Sequence, residues 1–160
     1  MSLIDRIKSH AVYVANLTYG PSVDGHRFTV VPKTPPLTEQ RGVYFLLSHN
    51  DTQIQKVGLA NGIGGLRQRM AGYRRIYRGN GQTGEKTMAL WYRKMTAPLR
   101  GQTLSLWVIH LTVSEEVVVL GKKHTLLLDP HPEMERVLIQ EARCSNLLEL
   151  IGQQPKAAKI

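Results

Sequence analysis

Two short apolar runs parted by a turn, then a glycine-studded loop, then an arginine-rich segment: this block constrains the chain more than any other feature. Val43, Tyr44, Phe45, Leu46 and Leu47 are consecutive, and the β-branched and aromatic members of the run favour a strand over residues 42–48. His49-Asn50-Asp51 is a turn signal, because Asn and Asp bond their own backbone and tolerate tight-turn dihedrals. A second strand over residues 54–59 follows, so the pair predicts a β-hairpin. Asn61-Gly62-Ile63-Gly64-Gly65 reads as a loop. Leu66, Met70 and Tyr73 then fall at i, i+4 and i+7, the spacing of one helical face, over residues 66 to about 77. Gly79-Asn80-Gly81 ends that helix.

Around this block the periodicity is less regular. Ile4, Ile7 and Ala11 have helical spacing, while Val12, Tyr13 and Val14 favour a strand, so residues 2–17 suit either a short helix or a strand after a helical turn. Residues 18–41 contain Gly20-Pro21 and Lys33-Thr34-Pro35-Pro36 and read as irregular, with a short strand at 28–31. Residues 82–103 fit no single period, though 88–95 suit a helix. A strand is predicted over 104–113, a short one over 117–120, and over 125–128 a strand or an extended approach to the last helix. Asp129-Pro130-His131-Pro132 is a helix start, with proline in the first turn. Residues 133 to about 151 form that helix, with Met134, Val137, Leu138, Ala142, Leu148 and Ile151 on its buried side.

A chain of 160 residues suits one domain, and at this size roughly two-thirds of the unfolded surface can be buried. The net charge of +9 and pI near 9.9 favour polyanionic partners, DNA or RNA. A single cysteine, Cys144, excludes an internal disulfide and a four-cysteine zinc site. It points to a reducing, cytoplasmic setting, and within an apolar helical run it is expected to be a buried structural thiol. Neither a secretory signal nor a run of 18 apolar residues is visible, so no membrane partner is expected.

Arg67, Arg69, Arg74, Arg75 and Arg78 lie within twelve residues and cannot share one helical face. Guanidinium groups hold phosphate through two parallel hydrogen bonds, which lysine cannot do. No acidic residue stands between Asp51 and Glu85, so the cluster has no ion partner nearby in sequence, and phosphate binding is preferred over a merely solvated face. Gly62, Gly64 and Gly65 precede the helix, where exposed amides could receive an anion or the glycines could simply form a flexible connector. Residues 79–87 imitate a nucleotide phosphate loop, but Glu85 stands where the lysine must be, and an acid there repels phosphate. The six histidines show no helical zinc spacing. Glu133, Glu135, Glu141 and Glu149 are candidate carboxylates; Glu135 and Glu141 both flank the apolar face, so spacing does not choose between them.

Gly42-Val43-Tyr44, then Lys56-Val57-Gly58, then Arg69 with Tyr73 four residues on, resemble the GIY-YIG nuclease superfamily. Glu135-Arg136-Val137-Leu138-Ile139 is similar to the family's metal-site glutamate followed by Leu-Ile, and this selects Glu135 over Glu141. The resemblance covers residues 42–78 and 133–140. It departs at Lys56, where the family has a tyrosine, in a longer loop before Leu66, and in lacking the family's late asparagine, since Asn146 lies too close to Glu135.

The resemblance implies an α+β fold, a small central antiparallel β-sheet flanked by helices. Residues 1–41 would be an N-terminal extension packed on the core, 42–151 the nuclease domain and 152–160 a flexible basic tail. It further implies an endonuclease on DNA using Mg²⁺ or Mn²⁺ held by Glu135. Tyr44 would take a proton from the attacking water, with Lys56 and Arg69 favouring its ionised form. Arg69 would stabilise charge developing on the phosphate, Lys56 would orient the water or hold the phosphate, and Tyr73 would help to position the water. Arg67, Arg74, Arg75 and Arg78 would grip the backbone. Scission of both strands needs two sites, which points to a homodimer. The competing reading is a non-catalytic basic nucleic-acid-binding module; a third is an RNA-associated basic protein.

Overall fold

Alternation of buried and more exposed side chains marks residues 14–19, 27–31 and 103–108 as strands of the central sheet, whose middle is buried on both faces. The computed structural model describes residues 1–22, 25–48, 50–74 and 103–145. Its strands β1 (Val12–Ser22), β2 (Gly25–Pro32), β3 (Gly42–Ser48), β4 (Gln53–Ala60) and β5 (Thr103–Ile109) form one sheet. Their order is β2-β1-β5-β3-β4, and every pairing is antiparallel. Strands β6 (Val113–Val119) and β7 (Lys122–Leu128) form a separate ribbon. It is closed by Leu120 and Gly121, both at positive φ. Helices α1 (Leu3–His10), α2 (Gly65–Tyr73) and α3 (His131–Cys144) complete the described residues, and the class is α+β as expected. No helix among them is long and apolar enough to cross a membrane.

The sheet has two covered faces. On one, Ala15, Leu17 and Tyr19 of β1, Phe28 and Val30 of β2, Tyr44 and Leu46 of β3 and Leu104, Leu106 and Val108 of β5 meet Leu66, Met70 and Tyr73 of α2. On the other, Val43, Phe45 and Leu47 of β3 with Ile54, Val57 and Ile109 meet Leu3, Ile4 and Ile7 of α1 and Ile139 and Ala142 of α3. Strand β3 is therefore buried on both faces, which accounts for its unbroken apolar run. Burying each such side chain contributes about 1.5–3 kcal/mol.

A β-bulge shapes β4. Leu46 pairs with Lys56 but Leu47 pairs with Ile54, leaving Gln55 as the extra residue. The bulge puts Ile54 into the α1/α3 core and turns the buried Gln55 to Ser48 Oγ, to which its amide donates at 2.6 Å. Lys56 and Gly58 then lie opposite Leu46 and Tyr44.

Several sequence expectations need correction. Residues 18–41 are not largely irregular: β1 runs through Ser22, and β2 is eight residues long. The signal is present in the sequence, since Ala15, Leu17 and Tyr19, then Phe28 and Val30, alternate with period two; Gly20-Pro21 masks it. The expected strand over 104–113 breaks at His110, and Val113 opens a different sheet. The strands over 117–120 and 125–128 are parts of longer ones that pair together. On α3, Val137 is exposed rather than buried, and Cys144 is an exposed free thiol rather than a core residue. These two stand seven residues apart, hence on one helical face, which points away from the sheet. The expectations for residues 75–102, His49 and residues 146–160 lie outside the described residues.

Candidate active site

Tyr44 sits on β3, directly opposite Gly58 on β4, and its ring lies across that glycine. A Cβ at Gly58 would stand 2.3 Å from Tyr44 Cζ and 2.4 Å from Oη, so any larger residue displaces the phenol. The ring is fully buried and meets Tyr73 of α2 edge-on, with centroids 6.2 Å apart. The two phenolic oxygens share a hydrogen bond of 2.8 Å. Arg69 lies one helical turn before Tyr73 on α2, so both point at the same strand. Its Nε donates to Tyr44 Oη at 3.3 Å.

Glu135 approaches from the other side of the sheet. On α3 it is aligned with Ile139 and Ala142, four and seven residues on, both buried against the sheet. Helix α3 packs on β4, the edge strand, and only at an edge can a helix on one face bring a side chain near groups on the other. Glu135 is half-buried, and burial raises its carboxyl pKa above the ordinary value. The charges of Lys56 and Arg69 pull it down, but by less. Lys56 itself is buried, on the bulged strand. Tyr44, Arg69 and Tyr73 are thus joined by hydrogen bonds, and Glu135 lies in the field of Arg69 and Lys56.

The other candidates are scattered. Glu141 is exposed, and Glu133 forms a surface pair with Arg136. Arg67 has an ion partner after all: Glu39, brought in from the segment before β3. Both are more than half exposed, so the pair is worth at most about 1 kcal/mol. Arg74 caps α2, and its Nη2 donates to Val30 O at 3.3 Å. Arg75 and Arg78 lie outside the described residues, as do Glu149 and the phosphate-loop imitation at 79–87.

The amides that open α2 bond within the chain. At the start of α2 the amides of Gly65, Leu66 and Arg67 donate to the carbonyls of Gly62, Gln40 and Thr38 at 2.9–3.0 Å. The Gly64 amide donates to the Gln68 side chain at 3.2 Å. These four donors are occupied within the chain and are not open to a phosphate. Gly65 has a different use: at φ +49°, a Cβ would stand 2.0 Å from Glu39 O. The glycine lets residues 38–40 dock on the helix.

Two further residues hold the site in shape. Asp129 accepts from the His131 backbone N–H at 3.1 Å and from the Asn61 side chain, tying the start of α3 to the loop after β4. The buried His131 accepts from the Leu111 N–H through Nε2 at 3.1 Å, which makes it a structural histidine. In the sequence Asp129 is legible only as a helix-start residue, because its partner is 68 positions away in the chain.

Among the described residues no three His, Cys, Asp or Glu side chains cluster as a metal cage. Glu135 could still offer one oxygen ligand to Mg²⁺ or Mn²⁺, although its burial and the neighbouring Lys56 and Arg69 charges work against a cation until a phosphate is also present. Magnesium keeps several waters and commonly takes one or two carboxylates, with substrate phosphate completing the shell.

No protein-family model matches the chain, and no curated protein matches it in sequence. A solved structure is similar in fold: the restriction endonuclease HPY188I in complex with product DNA, at 14% identity and a TM-score of 0.50. The match covers 98% of this chain and 84% of that one. At this identity the likeness is one of fold, and this chain shares the fold of a restriction endonuclease.

Proposed function

We propose that this chain is a metal-dependent endonuclease of GIY-YIG type, hydrolysing DNA phosphodiester bonds in a restriction-like, phage or mobile-element role. The observation that carries the reading is the convergence of Tyr44, Arg69 and Tyr73 through hydrogen bonds, with Glu135 in the field of Lys56 and Arg69. The five come from two strands and two helices, and the three charged ones, Lys56, Arg69 and Glu135, are all buried or half-buried. The fold shared with a restriction endonuclease supports it.

In this reading Tyr44 Oη takes the proton of the attacking water, whose oxygen bonds to phosphorus as the bond to the leaving oxygen breaks. Tyr73 fixes the direction of the Tyr44 hydroxyl and so of the water. Lys56 orients the water or holds a non-bridging phosphate oxygen. Arg69 stabilises the charge that grows on the phosphate, acting from a preorganised, half-buried position. Glu135 would hold Mg²⁺ or Mn²⁺, which when bound supplies Lewis-acid stabilisation of the phosphate and leaving oxygen.

A plasmid-nicking assay in Mg²⁺ or Mn²⁺ against EDTA tests this. Metal-dependent cleavage by the wild type is expected, with Glu135→Ala and Arg69→Ala each losing at least about a hundredfold, the scale of removing one transition-state donor, while still melting cooperatively. Retained cutting in either variant sinks the assignments. DNA binding by the wild type without cutting in either metal would instead establish a non-catalytic basic module.

A further inference from the structure

We propose that the edge of β2 carries a second phosphate subsite, in which Arg27 and Arg74 hold a flanking backbone phosphate of the same bound DNA. The inference rests on the nuclease reading and deepens it. A cleft of about 220 Å³ opens between β2 and the end of α2, lined by Arg27, Phe28, Thr29, Val30 and Arg74. β2 is the outer strand of the sheet, so no other strand fills this edge among the described residues.

The two arginines enter the cleft from different elements. Phe28 and Val30 point into the core, so Arg27 and Thr29, which alternate with them, stand on the exposed side of the strand. Arg74 follows the last residue of α2, and its guanidinium is steadied by the Val30 carbonyl. That bond uses one of five N–H donors and leaves the rest for an anion. Among the described residues neither Arg27 nor Arg74 has a carboxylate partner, whereas Arg67 and Arg136 each have one. Two guanidinium groups beside one small polar cleft, with no counter-charge, favour an anion from solution. The Thr29 hydroxyl adds a neutral donor.

The position relates the cleft to the candidate site. Phe28 lines the cleft and meets Tyr73 edge-on with centroids 5.7 Å apart, and Tyr73 bonds Tyr44. One aromatic ring thus separates the subsite from the catalytic cluster. A polynucleotide strand held at Arg69 would reach the cleft only by running towards β2. The contact would fix the register of the strand and carry no sequence information. The ligand class is therefore the phosphodiester backbone of duplex DNA.

Fluorescence anisotropy with a short labelled duplex in EDTA, over about 50–200 mM salt, tests the subsite. Losing one neutralised phosphate should lower the slope of log K against log salt by about 0.9. Arg27→Ala and Arg74→Ala should each lower the slope, equally for unrelated sequences, and the double variant should lower it by no more than about 0.9 in all, since the two side chains share one phosphate. Arg27→Lys should keep the slope, and Arg6→Ala on α1 should leave it unchanged. Because the Arg27 side chain makes no hydrogen bond among the described residues, its variant reports on binding rather than folding; thermal melts check Arg74→Ala. If the wild type binds and cuts DNA while Arg27→Ala and Arg74→Ala keep the full slope, the subsite is wrong and the nuclease reading survives. If the wild type binds no DNA at any salt, both are wrong.

Discussion

Glu135 is where folding and the proposed chemistry pull apart. Burial raises its pKa, so the fold favours the protonated carboxyl, while a cation site needs it ionised. The sign of the consequence is definite. The stabilisation from the raised pKa is complete below the ordinary value of 4.5 and is lost as pH rises through the folded value. In EDTA at neutral pH, Glu135→Gln should therefore be at least as stable as the wild type, with the difference vanishing near pH 4; urea titrations at both pH values measure it. Added Mg²⁺ should raise the melting temperature of the wild type and not of the variant. Gly58 makes a separate demand. Gly58→Ala should displace the Tyr44 ring and reduce nicking by at least about a hundredfold, with cooperative unfolding retained. Normal activity in that variant would show that Tyr44 is not where the reaction occurs. The motif residues are visible in the sequence, but the overlap of ring and glycine depends on the cross-strand register.

Among the helices, contacts distant in sequence decide how each is used. The start of α2 is capped by carbonyls of residues 38 and 40, and Gly65 permits that approach. Gly65→Ala should cost about 1–2 kcal/mol for the left-handed backbone alone, and more from the clash with Glu39, read as a fall in the urea midpoint. On α3 the apolar residues are spread widely enough for more than one stripe. Docking on β4 selects the stripe of Glu135, Ile139 and Ala142, leaving Val137 and Cys144 outside. Another tie spans three elements: Lys8 of α1 bonds Asp51 in the β3–β4 turn at 2.8 Å, and Ser105 of β5 donates to the same carboxylate. Burial alone would raise the Asp51 pKa, but the Lys8 and Ser105 bonds outweigh it and hold it below the ordinary value. Its stabilisation is thus present above about 3.8 and lost as pH falls through the depressed value. Asp51→Asn should lower stability at neutral pH and flatten the acid limb of the pH–stability curve.

For the molecule taken entire, charge and the number of sites set the behaviour. With a net charge of +9, binding to DNA should weaken steeply with salt, whichever face is used. The described residues hold one candidate catalytic cluster, and cutting both strands at one locus demands two. If the active species is a homodimer, plasmid should be nicked at low protein concentration and linearised at high concentration, with sedimentation velocity showing the dimer over the same range. Linear product at concentrations where the protein sediments as a monomer would argue against that assembly.

Local periodicity and turn chemistry act over a few residues, and they suffice to specify the β3–β4 hairpin and helix α2 with its position after a glycine loop, while the α+β class was implied by the resemblance that the short motifs carry. The identities of the residues now found together are legible in the same way. Whatever depends on residues far apart in the chain had to wait for the folded molecule. Folding moves residues before Gly42 into the sheet as β1 and β2, because alternating apolar side chains need a partner strand to be buried. It occupies the glycine-turn amides with backbone carbonyls and gives Arg67 an acidic partner. It also separates Glu135 from Glu141, since a glutamate can be half-buried near two cations only where the helix passes the edge of the sheet.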